Sequence, residues 1–132
     1  MNKAKFVMWW SVGVGAMDAV TGLLLVVAPV RVLELLGIAP PAADALVFLS
    51  WMGVFVAGVG LSYGLVVTDR RRGPTVWQFT SLVRGLVGVF VLCRIADGSL
   101  VPLWTAVALT DLVVAAGQLA LLRAGWWEEA ER

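Results

Sequence analysis

The sequence predicts an all-α integral membrane protein: a four-helix bundle, N-in and C-in, with a short interfacial helix between the first and second spans. Three observations carry this reading. Of 132 residues, 61% are hydrophobic and only 14% charged, against about 25% charged in a soluble domain. Four apolar stretches are each long enough to cross about 30 Å of hydrocarbon at about 1.5 Å per helical residue. Basic residues gather at one set of helix ends. The length allows a single domain, residues 1–132.

The first span covers about 6–27. Lys3 and Lys5 precede it as they would in a secretory signal, but the apolar run continues past Asp18 and is longer than a signal core. Pro29 follows, and Val30, Leu33 and Leu36 recur at helical spacing until Gly37. A proline at the start and a glycine at the end predict a short helix over about 29–37, lying along the interface. Pro40-Pro41 ends that connection, and the second span runs over about 45–67. Asp69, Arg70, Arg71 and Arg72 precede Gly73-Pro74 and a third span over about 76–93. An Asp97-Gly98 turn then leads to the fourth, about 103–122.

Orientation follows from the cations. With the N-terminus in the cytoplasm, the inner side carries Lys3, Lys5, Arg70, Arg71, Arg72, Arg123 and Arg132, and the outer side only Arg31 and Arg94. Such a chain belongs in the cytoplasmic, or bacterial inner, membrane as a multi-pass protein. The tryptophans fit an aromatic belt, with Trp9, Trp10, Trp77, Trp126 and Trp127 toward the inner interface and Trp51 and Trp104 toward the outer one. The Arg70–Arg72 loop could attract anionic lipid, although topology alone accounts for it.

Net charge is +1 and no histidine occurs. No global field exists to attract nucleic acid. Imidazole ligation and the commonest general base are unavailable, and the lone Cys93 excludes an internal disulfide or a thiolate zinc site. No catalytic or metal-binding residue is assigned.

The informative charges lie at the wrong depth. Asp18, Arg84 and Asp111 fall midway along spans one, three and four. Each would cost about 2.5–3.5 kcal/mol at the bilayer centre, so they are expected to face one another as a carboxylate–guanidinium–carboxylate cluster. With all three ionised, that cluster carries one uncompensated negative charge, which a proton or cation would offset. Gln118, two turns from Asp111 on the same face, either extends a polar path or bonds a neighbouring helix. The pairing could equally serve only to lock helix register.

Small residues share these faces. Ser11, Gly15 and Gly22 accompany Asp18, Ser81, Gly85 and Gly88 accompany Arg84, and Ala108 and Ala115 accompany Asp111. The second span offers Gly53, Ala57, Gly60 and Gly64, where Gly60 and Gly64 form a small-xxx-small pair suited to close helix packing.

The run from Gly22 to Pro29 with the later Leu35-Leu36-Gly37, then Arg84-Gly85, Asp97-Gly98 and Asp111, resembles small DoxX-like four-helix bacterial membrane proteins. The resemblance spans nearly the whole chain and implies the four-helix fold. It also implies, for some members, a membrane subunit of quinone-linked sulfur oxidation or of a redox-stress assembly, with quinone as the possible cofactor. No residue here matches a catalytic motif of that chemistry. Asp18 is also similar in position to the first-helix acid of small multidrug-resistance transporters, but a midplane Arg84 would oppose their cationic substrates.

The leading expectation is an accessory or assembly subunit without chemistry of its own, held in the lipid bilayer with a membrane-protein partner or as a homo-oligomer. The alternatives are a proton-linked small-molecule carrier using Asp18, Arg84 and Asp111, and a quinone-associated redox subunit.

Overall fold

A bilayer offers backbone amides no partners, so a long apolar segment must satisfy its own N–H and C=O groups, and a helix is the way to do so within one segment. That requirement overrides the weak helix propensity of the many Val and Gly residues. The computed structural model describes residues 2–130, and Arg132, counted above with the inner cations, lies outside the described residues. Among the described residues every regular element is helical. They are α1 (Lys3–Val27), α2 (Pro29–Leu35), α3 (Ala43–Ser62), α4 (Gly64–Thr68), α5 (Gly73–Ala96), α6 (Thr105–Arg123) and α7 (Trp126–Ala130), with single 3₁₀ turns at Arg70–Arg72 and Pro102–Trp104. Among the described residues four segments are long and apolar enough to cross a membrane: Lys3–Val27, Ala43–Thr68, Arg70–Ala96 and Pro102–Arg123. Large apolar side chains such as Leu23, Phe48, Phe55, Leu86, Phe90 and Val113 point outward along them, where lipid and not water is the compatible solvent. These are the features of a membrane-spanning helical bundle.

The helix ends follow local chemistry. Pro29 disfavours helical backbone at Ala28, which adopts φ −147° and ψ 54°, so α1 stops there and Pro29 opens α2. Gly37, at φ 72°, closes α2 in a Schellman motif, its N–H donating to Glu34 O at 3.0 Å and that of Ile38 to Leu33 O at 2.9 Å. Gly98 turns the chain after α5 in the same left-handed region. Beside it Asp97 accepts the Ser99 N–H at 2.9 Å and pairs with Arg94 at 2.7 Å. The Ser99 hydrogen bonds, followed by the Arg94 charge, hold the Asp97 carboxyl below its ordinary range.

The chain divides into two compact units, Met8–Arg70 and Met1–Val7 with Arg71–Arg132. In the first, α1 and α3 run antiparallel at glycine contacts. A Cβ on Gly22 would overlap Ala57 backbone and Gly53 O, and one on Gly60 would overlap Ala19 backbone and Gly15 O. Gly15 meets Tyr63 and Gly53 meets Gly22 O. These four glycines let two backbones approach as larger side chains would not.

Gly64 departs from the face expected of it. Nothing lies within 4 Å of its Cβ position, and Tyr63 and Val66 are buried instead. The cause is a local tightening between α3 and α4, where Tyr63 N–H donates to Gly60 O at 3.2 Å and Val66 N–H to Tyr63 O at 3.0 Å. Those three-residue bonds advance the chain about 120° per residue, so the buried positions fall at 60, 63 and 66 and not at 60 and 64.

In the second unit α5 and α6 form an antiparallel hairpin. Gly88 admits Leu112 and Ala108 O, whereas Gly85, one residue past Arg84 and so about 100° around the helix, faces open space. The short helix α7, which periodicity did not predict, folds back on this hairpin. Trp127 lies over Gly73 and meets Trp77 edge to face, with ring centroids 5.2 Å apart. Trp126 meets Phe6 at 5.1 Å and the Lys3 ammonium at 5.6 Å.

Candidate functional site

The α5 face that packs on α6 is spaced by three and four residues: Gly73, Trp77, Thr80, Ser81, Arg84, Gly88 and Val91 are all buried. It carries polar groups across the apolar segment. Arg84 stands midway along α5 and only 4% of its side chain is exposed; its Nη1 donates to Asp111 Oδ1 at 2.5 Å. This is a short, charge-assisted bond in a medium that cannot otherwise solvate either charge. Asp111 is 19% exposed, so the carboxylate is the accessible member of the pair.

One turn further along α5, Ser81 Oγ donates to Gln118 Oε1 at 3.1 Å, and Thr80 Oγ1 reaches the same oxygen at 3.5 Å and Trp77 O at 3.4 Å. Gln118 is fully buried, and its carboxamide bonds the neighbouring helix. The Ser81 and Gln118 contact and the Arg84 and Asp111 contact share one antiparallel register, so the hairpin has a continuous polar seam.

Asp18 belongs to the other compact unit and is described with its own helix. It is buried on α1, on the face that also buries Ser11, Gly15 and Gly22. A buried carboxylate within a membrane-length apolar helix marks α1, like α5 and α6, as carrying charge at depth. Two surface grooves lie beside these faces. One, of about 230 Å³, runs along Ser11, Gly15, Gly60 and Tyr63; the other, of about 580 Å³, runs along Gln78, Ser81, Gly85 and Leu112. Neither is lined by Asp18, Arg84 or Asp111. Among the described residues no three His, Cys, Asp or Glu side chains are grouped to hold a metal ion.

Comparison with protein families, curated proteins and solved structures found no match to this chain. The functional reading is carried by its own residues.

Two of the tryptophans expected toward the inner interface, Trp77 and Trp127, are buried against protein. The signal for Trp77 was present in the spacing, since Trp77, Ser81, Arg84 and Gly88 recur at four, three and four residues on one helix face. Trp127 gave no such signal, because a five-residue helix is too short to show a period. Arg70, Arg71 and Arg72 form an exposed turn directly before α5, and Cys93 is exposed on α5.

Proposed function

We propose that this chain is a proton-linked carrier of a small molecule, with the Arg84–Asp111 pair as its working centre and Asp18 as a second buried acid. The observation behind it is the asymmetry of the pair: a closed guanidinium held by a carboxylate that keeps access to its surroundings. A pair serving only to register two helices gains nothing from that access. An apolar contact of equal volume would hold α5 to α6 without desolvating two charges. Arg84 stays protonated at any physiological pH, so Asp111 is the member that exchanges a proton, and doing so weakens its hold on Arg84. That coupling between protonation and a helix contact is what a proton-linked carrier needs.

In this proposal the chain sits N-in and C-in in a bacterial cytoplasmic membrane, with α2 along the outer interface. The DoxX-like resemblance fits the same setting, and no residue is assigned to a quinone. The test is reconstitution into liposomes containing a pH-sensitive dye and challenge with a panel of small neutral and anionic solutes. A solute-driven proton flux that disappears in Asp111→Asn is expected; no flux with any solute between mildly acid and alkaline pH abandons the reading. The accessory-subunit reading draws on the groove beside Gly85. It predicts a stoichiometric membrane-protein partner in native-membrane pull-downs that Gly85→Leu displaces.

A further inference from the structure

The polar seam does not end at Ser81 and Gln118. Arg84, Ser81, Thr80 and Trp77 succeed one another on the buried face of α5, and seven residues at about 1.5 Å each carry that line about 10 Å from the charged pair toward the start of the helix. There it meets Trp127. The indole occupies the space that a Cβ on Gly73 would fill, and its edge-to-face contact with Trp77 closes the end of the line.

Two features of this closure are unusual for an anchor. Trp127 is only 3% exposed, yet its Nε1 is buried with no hydrogen-bond partner among the described residues. Buried indole N–H groups ordinarily find an acceptor, and a water entering the seam would supply one. The closing element is also small. α7 follows Gly125, whose φ of 69° suits a glycine hinge, and rests on side-chain contacts with Lys3, Phe6, Gly73 and Trp77. A short helix held this way can leave without disturbing the hairpin beneath.

We infer that Thr80, Ser81 and Gln118 form a water-conducting seam from Arg84 and Asp111 to the end of the hairpin that carries Lys3 and Arg72, and that Trp127, seated on Gly73, is its gate. The inference rests on the carrier reading only for the use made of the water. With Trp127 seated, the Ser81 hydroxyl is spent on Gln118 Oε1, and that of Thr80 lies between the same oxygen and Trp77 O. With α7 displaced, water entering past Gly73 competes for the same oxygen and brings protons within reach of Asp111.

Accessibility of the seam is measurable without a substrate. In the full chain carrying Cys93→Ala and Ser81→Cys, reconstituted in liposomes, a membrane-impermeant cationic methanethiosulfonate is applied from the side of Lys3 and Arg72. It does not partition into lipid, so the lipid-facing groove beside Ser81 is not its route. The cysteine should react at least tenfold faster when Trp127→Ala removes the gate or Gly73→Ala unseats it. Trp127→Phe, which keeps most of the ring, should raise the rate about threefold and serves as the measurement if the other two lose helix content. Rates unchanged in every folded variant, or already fast with Trp127 in place, overturn the gate. Opening without solute-driven proton flux leaves the gate standing and removes the carrier. Flux without any change in labelling does the reverse.

Discussion

At Arg84 a guanidinium sits where an unpaired charge would be costly, and Asp111 compensates it. Removing either partner alone takes a charge-assisted bond from the other at a buried position, so Arg84→Ala or Asp111→Ala should destabilise the protein by roughly 3–5 kcal/mol. Replacing both, as Arg84→Met with Asp111→Leu, removes the need for compensation and should recover most of that loss. Denaturant unfolding in detergent micelles checks it. A double variant as unstable as the singles would mean that the ion pair itself, beyond mutual neutralisation, holds α5 to α6. The depth of both residues was legible, because the position of a residue along an apolar segment is its depth. Their pairing was expected on that ground, and Ser81 could be placed beside Arg84 by spacing. The burial of Trp127 was not legible, because it depends on a chain reversal at Gly125 that brings α7 back to Gly73.

At the scale of the elements, α1 and α3 depend on backbone approach. Beside Gly22 and Gly60 the obstacles to a Cβ are backbone atoms, which cannot rotate away. Gly22→Ala or Gly60→Ala should therefore force the helices apart, at a cost of about 1–3 kcal/mol. Gly13→Ala and Gly64→Ala meet open space and should be neutral or stabilising by up to about 1 kcal/mol, since alanine is the better helix former. Thermal unfolding followed by circular dichroism separates the two sets, and equal behaviour of Gly60→Ala and Gly64→Ala would contradict the break at Tyr63. The glycine stripe of α1 could be read from the sequence. Its counterpart on α3 was legible only as far as Gly60, because the switch from four-residue to three-residue hydrogen bonds at Tyr63 and Val66 has no sequence signature that outweighs the helical period around it.

For the whole molecule, four spans and the bias of Lys and Arg predict that Arg71 faces the inside of the membrane and Ser99 the outside. In a Cys93→Ala background, Ser99→Cys should react with an impermeant maleimide added outside intact cells, whereas Arg71→Cys should react only after permeabilisation. The reverse pattern would invert the orientation, and reaction of both in intact cells would contradict four spans. Composition, segment length and charge placement alone determined that this chain forms four long apolar helices and which charges fall midway along them. Those properties run along one dimension and follow from the need of each segment to satisfy its own backbone in lipid. Only the tertiary structure decided that Gln118 bonds Ser81 across the hairpin, that Gly88 and not Gly85 packs, and that Trp127 enters the core. The first two depend on the rotation of one helix about its axis relative to another, which a shift of a single residue turns by about 100°, and the third on the chain reversal at Gly125; side-chain packing makes these choices and hydropathy does not.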